Sequence, residues 1–249
     1  MKLELMGIEG LPEVVQGDDL AVMIFDGLSK MGDSLRQGDV LVVTQKVVSK
    51  AEGRLIALRD VVASPLAERW ATACSCDPRV IELVLRESRR IVRMDRGVLI
   101  TETHHGWVCA NAGVDVSNVG GGETATLLPG DADASARRIR EGLATRTGVE
   151  LGVVVSDTFG RPWREGLVNF AIGIAGFSPL RSHIGDRDPQ GFALQATVQA
   201  VADEVAAASG LVSGKLNRVP VVLVRGLPYE ASAGSARDLI RPPERDLFR

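Results

Sequence analysis

Three short apolar runs constrain the fold of this chain of 249 residues more than any other feature. They read D-V-L-V-V-T (residues 39–44), L-G-V-V-V (151–155) and P-V-V-L-V-R-G (220–226). Short runs that are rich in valine and bounded by turn residues predict buried strands. Aromatic residues make up only 4% of the chain while 45% of it is hydrophobic, so its core must rest mainly on Val, Leu, Ile and Ala.

Helical periodicity predicts most of the elements between these strands. Leu20, Met23, Ile24 and Leu28 form one apolar face, and Asp18 or Asp19 precedes it as a cap. Further helices are predicted over residues 65–73, from 77 onward, over 133–147 and from 194 to 210. Strands and helices do not alternate strictly, so an α+β or irregular α/β fold fits better than a doubly wound sheet. We expect residues 1–249 to form a single domain.

Charge and cysteine content exclude several classes of protein. The net charge of −3 comes from charges mixed along the chain, which argues against nucleic-acid binding but not against a small polyanionic ligand. The sparse set of Cys74, Cys76 and Cys109 predicts reduced thiols. No apolar stretch approaches the roughly 20 residues that span a bilayer, and the N-terminus does not resemble a signal peptide. We therefore expect a cytoplasmic protein that does not bind membranes.

The stretch S-D-T-F-G-R-P-W-R (residues 156–164) directly follows one of the predicted strands. Asp157 and the hydroxyl of Thr158 offer the hard oxygen ligands that Mg²⁺ or Mn²⁺ prefers. Arg161 and Arg164 follow closely, and guanidinium groups suit phosphate. Carboxylates for a metal together with arginines for phosphate are typical of phosphoryl transfer. The alternative is a carboxylate that caps a turn beside arginines on the surface.

Two other places carry candidate groups. Asp115 and Asn118 lie in the glycine-rich stretch N-A-G-V-D-V-S-N-V-G-G-G-E-T (residues 111–124), where Asp115 either joins Asp157 in a metal site or forms an Asx turn. The second place is K-V-V-S-K (residues 46–50), which begins with Lys46 and ends with Lys50. Positions four apart share a face of a strand, so both lysines could point at one anion, although an ordinary solvated pair is the alternative.

Other familiar motifs fail. S-G-K-L (residues 213–216) lacks the spacing and the Ser or Thr of a phosphate-binding P-loop, and it follows a predicted helix instead of a strand. His104, His105 and His183 have no metal-ligand spacing, and the first two are expected in a turn between strands. The sequence contains no nucleophile elbow and no dinucleotide fingerprint.

Five ordered blocks together resemble one family. They are L-P-E-V (residues 11–14), G-D-V-L-V-V-T-Q-K-V-V-S-K-A-E-G-R (38–54), A-G-V-D-V-S-N-V (112–119), S-D-T-F-G-R-P-W-R and P-V-V-L-V-R-G. The family is coenzyme F420-0:L-glutamate ligase, and the resemblance runs from Leu11 to the terminal D-L-F-R. It implies a two-lobed, family-specific α+β fold with mixed sheets and packed helices, usually as a homodimer.

The resemblance also implies an activity and a set of site residues. GTP would phosphorylate coenzyme F420-0, L-glutamate would displace the phosphate to form an amide, and later cycles would add γ-linked glutamates. Two divalent cations, Mg²⁺ or Mn²⁺, would assist, with K⁺ as a further ion. Asp115 and Asp157 would hold one metal and Thr158 would touch the other. The nucleotide would contact Leu11, Pro12, Glu13, Val14, Gln45, Lys50, Asn118, Val212, Ser213, Gly214, Lys215, Leu216, Asn217, Arg218 and Val219. Apart from the resemblance, the charge of Arg161 and Arg164 suggests that they clamp the transferred group or the substrate phosphate.

The sequence departs from the family pattern at one point. Some members carry an acidic metal ligand in the last nucleotide segment, whereas V-S-G-K-L-N-R-V (residues 212–219) contains no acid. The second metal would then use water or another carboxylate, or Lys215 would replace part of its charge. Two other functions stay open on sequence alone: another metal-dependent carboxylate kinase or ligase, and a nucleotide-binding module without turnover.

Overall fold

The computed structural model describes residues 2–116 and 122–246, and within them the predicted α+β class is confirmed. The α-helices are α1 (Leu20–Lys30), α2 (Gln45–Ala51), α3 (Pro65–Cys74), α4 (Pro78–Arg86), α5 (Ala132–Thr147) and α6 (Val201–Ser213). The strands are β1 (Glu4–Gly7), β2 (Val40–Thr44), β3 (Leu55–Ala57), β4 (Ser88–Asp95), β5 (Val98–Thr103), β6 (Val108–Ala110), β7 (Thr124–Thr126), β8 (Gly152–Arg161), β9 (Arg164–Ala175), β10 (Arg181–Ser182), β11 (Val198–Gln199) and β12 (Val221–Arg225).

A five-stranded mixed sheet in the order β1-β12-β2-β8-β9 organises the molecule. The three apolar runs form its inner strands β2, β8 and β12, which confirms them as buried. β2 and β8 run parallel, while the other neighbours in this sheet are antiparallel. Because β2 and β8 are parallel, their carboxyl ends meet at the same edge of the sheet.

Helices cover both faces of the sheet, which explains why the inner strands are apolar without alternation. Leu41 and Val43 of β2 pack into a core with α1 and α5. Val40 and Val42 face the opposite way, into a core with α6. The two cores consist mainly of aliphatic side chains, as the composition required.

Residues 55–126 carry the remaining elements of the first half of the chain. β3 pairs with β7, and β4, β5 and β6 form a three-stranded antiparallel sheet. Two smaller apolar clusters lie here, one under α3 and α4 around Ala67 and Val84, the other around Leu58 and Leu127. The division into two lobes and the single domain over residues 1–249 stay predictions.

Helix boundaries follow the predicted caps closely. Asp19 caps α1 by accepting from the amides of Ala21 and Val22, and Asp77 caps α4 ahead of the proline at its first turn. Gly148 ends α5 in the left-handed conformation with φ of 70°. Within the described residues, no helix combines the length and the apolar character needed to cross a bilayer.

The prediction for the helix over residues 194–210 was wrong at its start. The helix α6 begins at Val201 and continues to Ser213, so Leu194 and Val198 lie outside it. Val198 belongs to β11, which pairs with β10. The apolar residues upstream of Val201 match helical spacing by chance, because pairing with β10 fixes this part of the backbone in an extended form.

The prediction of reduced thiols was wrong for two of the three cysteines. Cys74 and Cys76 are joined in a disulfide, with their Cα atoms 5.3 Å apart. Ser75 between them adopts the left-handed conformation with φ of 54°, and this turn folds one cysteine back toward the other. Cys109 is free and buried.

Candidate active site

The candidate site lies where the parallel strands β2 and β8 reach the same edge of the sheet. Thr44 at the end of β2 pairs with Ser156 of β8. We expected the chain to leave the sheet after Val155, but β8 continues to Arg161 and forms a long hairpin with β9. Asp157 and Thr158 therefore stand on a strand whose backbone is held by a partner.

Asp157 and Thr158 point to opposite faces of the sheet, since side chains alternate along a strand. Asp157 shares a face with Val155, which packs in the core formed with α1 and α5. Thr158 shares a face with Val154, which packs in the core formed with α6. Asp157 thus faces groups from α2 and its surroundings, and Thr158 faces the segment that follows α6.

The surroundings of Asp157 disfavour its charged form. Burial, with a smaller contribution from the negative charge of Asp115, raises the pKa of Asp157 to about 6. The amide of Thr158, which donates to Asp157 Oδ1 at 2.8 Å, opposes the shift, as do Lys215 and Lys46. A carboxylate that is desolvated and faces a second carboxylate is typical of a functional site.

Asp115 is held beside this carboxylate by its own backbone. Its amide and carbonyl both bond to Thr126, at 3.0 and 2.7 Å, and form an isolated antiparallel bridge. Its Oδ2 forms an ion pair with Lys46 Nζ at 2.7 Å. The fold therefore brings Asp115 and Asp157 within each other's electrostatic field, although they are far apart in sequence.

The two lysines lie on helix α2, and the strand expected for them was wrong. Residues four apart share a face of a helix as they do of a strand, but the lysines do not converge on one anion. Lys46 pairs with Asp115, and Lys50 pairs with Glu13, a residue of the first block of the resemblance. The fully solvated pair is also wrong, because the side chain of Lys50 is largely buried.

A polar chain joins the other face of β8 to the segment after α6. Lys215 Nζ donates to Thr158 Oγ1 at 2.7 Å, and Thr158 Oγ1 donates to Asn169 Oδ1 at 2.8 Å. Sequence reasoning missed Asn169, since only the register of β8 against β9 places it opposite Thr158. Lys215, which the resemblance placed near the nucleotide, reaches the proposed metal ligand Thr158.

Two of the segments assigned to the nucleotide border one cavity. This cavity of about 510 Å³ is lined by Gly7, Glu9, Gly10, Leu11, Val212, Asn217, Arg218 and Val219. It lies between the end of β1 and the turn that joins α6 to β12. The fold therefore brings Leu11 together with four of the eight residues of the last segment, as a shared ligand would require.

Two other residues assigned to the nucleotide have buried side chains, which makes them less available for contact with a ligand. Val14 packs in the core, and Gln45 is 3% exposed. The side-chain nitrogen of Gln45 donates to Ser49 Oγ at 2.7 Å and to Leu127 O at 3.0 Å. Asn118 lies outside the described residues. The roles predicted for these residues stay predictions.

The two arginines lie at the tip of the β8–β9 hairpin. Arg161 and Arg164 pair with each other across the turn, and Arg161 donates to Glu165 O at 2.6 Å. Arg161 is four residues beyond Asp157, about 13 Å along the strand. The catalytic role of the two arginines stays a prediction.

Cys109 on β6 places an uncharged thiol beside Asp157. Burial, together with the charge of Asp157, raises the pKa of its thiol to about 12. A thiol in this state is not a nucleophile near neutral pH. Cys109 therefore contributes to the low polarity around Asp157 and not to chemistry of its own.

The donor set fits a hard divalent cation. Asp115 and Asp157 on one face of β8, and Thr158 and Asn169 on the other, present oxygen atoms, which Mg²⁺ and Mn²⁺ prefer over sulfur. A cation would also relieve the repulsion between the two carboxylates. In residues 2–116 and 122–246, no three His, Cys, Asp or Glu side chains gather as a metal cluster, so water or substrate oxygens would complete the coordination.

Comparison with known proteins identifies the family of the chain. Residues 9–226 match the model of the family described as F420-0:Gamma-glutamyl ligase. The chain is 46% identical to the "Coenzyme F420:L-glutamate ligase" of Methanothermobacter thermautotrophicus, with all of both chains covered. It is 44% identical to the protein of the same name from Methanopyrus kandleri, over 99% of each chain. In Methanocaldococcus jannaschii the corresponding identity is 38%, covering 100% of this chain and 97% of the relative. The chain belongs to the F420-0:gamma-glutamyl ligase family.

Proposed function

We propose that this protein joins L-glutamate to coenzyme F420-0 and uses GTP and divalent metal ions to do so. Its family and the names of its relatives support the glutamate ligation. The observation that carries the GTP and metal part is the pair of carboxylates, Asp115 and Asp157, held in one site with the ammonium groups of Lys46 and Lys215 close by.

The reaction has two steps. A carboxylate is a poor electrophile, so the terminal carboxylate of F420-0 first takes the γ-phosphoryl group of GTP. This step releases GDP and leaves an acyl phosphate. The amine of L-glutamate then attacks the acyl carbon, the bond to the phosphate oxygen breaks, and the amine loses a proton. The products are an amide and inorganic phosphate, and further cycles would extend a γ-linked chain.

The main obstacle is the repulsion between an anionic carboxylate and an anionic triphosphate. Two unit charges about 4 Å apart repel by roughly 4 kcal/mol at an effective dielectric constant near 20. Metal ions held by Asp115, Asp157 and Thr158 would neutralise charge on the phosphates and on the transferred group.

The lysines can serve the same purpose from the protein side. Lys46 bonds to Asp115 Oδ2 and Lys215 bonds to Thr158 Oγ1, which are oxygen atoms that a metal would coordinate. Their long, flexible side chains can turn toward phosphate oxygens once those ligands bind a cation. The cavity between β1 and the turn after α6 is a suitable place for the rest of the nucleotide, because it borders the loop that carries Lys215.

A single assay tests this proposal. The protein is incubated with GTP, Mn²⁺, L-glutamate and F420-0, and the coenzyme is analysed by mass spectrometry together with GDP release. We expect glutamyl products and GDP in matching amounts. Reactions with EDTA, or with ATP in place of GTP, test the metal and the nucleotide separately. A folded protein that yields no glutamyl product would refute the ligase, and GTP binding without turnover would favour the nucleotide-binding module.

We further propose that the protein acts as a homodimer in the cytoplasm, as the resemblance implies. Large apolar side chains stand exposed near the hairpin tip and the end of α6, among them Trp163, Leu167, Leu211 and Leu216. Such side chains are candidates for burial between subunits. Light scattering coupled to size-exclusion chromatography measures the mass directly, and a monomer at micromolar concentration would contradict the dimer.

A further inference from the structure

A β-bulge interrupts the pairing of β8 with β9 one residue before Asp157. Val155 pairs with Gly173, but the next residue, Ser156, pairs with Ala171, so Ile172 is one residue too many. Ile172 packs in the core formed with α1 and α5, and a side chain on Gly173 would clash with Ala132 of α5. Both residues therefore face α5, which is how an extra residue disturbs the alternation of a strand.

The bulge decides which residues of β9 meet the candidate site. Beyond it, Asp157 pairs with Phe170 and Thr158 pairs with Asn169. Without the extra residue the register would slip by one, and Thr158 would stand opposite Phe170. A slip of one residue turns every side chain to the other face. The contact of 2.8 Å between Thr158 Oγ1 and Asn169 Oδ1 therefore depends on the bulge.

Two carboxylates from opposite faces of the sheet hold the bulge. The amide of Ala171 donates to Asp203 Oδ1 of α6 at 2.9 Å. The amide of Ile174 donates to Asp133 Oδ1 of α5 at 2.8 Å. β9 is the outer strand of the sheet, so an amide that points away from β8 has no strand partner, and a buried amide without an acceptor is costly. These two side chains supply the missing acceptors.

The two carboxylates differ in what else they do. Asp133 also accepts from Ser235 Oγ at 2.6 Å and from the amide of Ala236 at 3.0 Å, so it ties the C-terminal segment to the sheet. Burial raises the pKa of Asp203, and the hydrogen bond from the amide of Ala171 opposes this rise. Keeping a carboxylate in this half-buried position has a cost that the bond to Ala171 offsets only in part. A role in holding the bulge accounts for it.

We propose that Asp203 is a positioning residue for the metal site, because it fixes the bulge that places Asn169 beside Thr158. Asp203 acts through the backbone of β9 and touches neither metal nor substrate. The inference rests on the proposed function for the identity of the metal, but the structural part of it, the capture of the Ala171 amide, stands alone.

Three variants separate this role from general stability. Asp203→Ala removes the acceptor, and Asp203→Asn keeps an acceptor oxygen while it removes the charge. Ser209→Ala is the matched control, because Ser209 is buried on the same helix and its hydroxyl bonds to Ala206 O. Asp203→Ser, whose shorter side chain cannot span the same distance, replaces the alanine variant if that variant does not fold.

Two measurements are made on each variant at a temperature well below its unfolding midpoint. Hydrogen exchange followed by NMR reports on the amide of Ala171, and titration with Mn²⁺ alone reports on the metal site. In Asp203→Ala we expect exchange at Ala171 to accelerate at least about tenfold. We expect its Mn²⁺ affinity to fall about tenfold, the loss typical of groups that orient metal ligands. Asp203→Asn and Ser209→Ala should stay within about twofold of the unmodified chain.

Two results would overturn the proposal. One is unchanged Mn²⁺ affinity and unchanged exchange at Ala171 in Asp203→Ala. The other is an asparagine variant that loses as much as the alanine variant, since the charge and not the bond would then matter. If the unmodified chain binds no Mn²⁺, the metal part of the proposed function fails, and the exchange at Ala171 alone decides the role of Asp203.

Discussion

Aspartates lie beside both ends of strand β2, in contrasting surroundings. Asp39, directly before β2, is 1% exposed, and Arg225 at the end of β12 binds both of its oxygens, at 3.0 and 2.9 Å. Arg225 also bonds to Asp33 and to Ser34 O, and these carboxylates raise its pKa. The charges at this end satisfy one another.

At the opposite end of β2 the charges are not matched in this way. Asp157 faces a second carboxylate, Asp115, and burial raises its pKa to about 6. The cations near it are the flexible lysines Lys46 and Lys215, each of which bonds to a neighbouring group. A planar arginine fixes a structural carboxylate, whereas exchangeable lysines leave room for a metal to replace them. One end of the sheet is built for stability, and the other has the unmatched charges that the proposed metal site needs.

The largest effect is expected at Asp157. Asp157→Ala should lower glutamate-dependent GDP release at least about a thousandfold, equivalent to roughly 4 kcal/mol, since charge stabilisation by the metal would be lost. Circular dichroism should show an intact fold. The control is Asp95→Ala, which removes a carboxylate on another sheet that pairs only locally with Arg93. Near-normal turnover in Asp157→Ala would contradict the metal role.

At the opposite end the expected loss is one of stability. Arg225→Met leaves Asp39 buried without its partner and should destabilise the fold by about 3 kcal/mol. For a chain of this size the unfolding midpoint should fall by about 10 °C. Arg93→Met, which breaks an exposed pair, serves as the control and should cost less than about 1 kcal/mol. Equal losses in the two variants would remove the contrast between the ends of the sheet.

Asp157→Asn should make the metal-free protein more stable. The pKa of Asp157 in the folded state is about 6, above its ordinary value of 3.8, so the folded chain binds the proton more tightly than the unfolded chain does. The unmodified protein therefore loses stability as the pH rises from about 4 to about 6. In EDTA, the variant should gain on the order of 2 kcal/mol above pH 6 and nothing near pH 4. A gain that does not vary with pH would contradict this origin.

The smallest effect concerns the nucleotide. Lys50→Ala should weaken GTP binding about tenfold, roughly 1.4 kcal/mol, since one cation is removed from a largely buried position. Lys2→Ala is the matched control, because Lys2 also pairs with a glutamate but is mostly exposed. Isothermal titration with GTP measures both variants. If Lys50→Ala binds GTP as the unmodified chain does, the lysine serves only its ion pair with Glu13.

Much of the fold was predictable because its signals are local. The apolar runs marked the inner strands, and the cap of Asp77 before Pro78 marked the start of α4. Lys46 and Lys50 were assigned to a strand since a run of seven residues after β2 does not distinguish helix from strand by period alone. Leu194 and Val198 suggested a helix for the same reason. For Val198, pairing with β10, a contact distant in sequence, decided the conformation.

The sequence by itself determined which chemical groups the site contains, since Asp115, Asp157, Thr158 and Lys215 are recognisable as candidates without any structure. Only the tertiary structure decided how they are arranged. It placed Asp115 beside Asp157, gave each lysine a separate oxygen, and brought Asn169 opposite Thr158 by a bulge that Asp203 holds. Periodicity and capping depend on neighbours along the chain. Register and pairing depend on contacts between distant segments, which form only when the whole sheet packs against its helices.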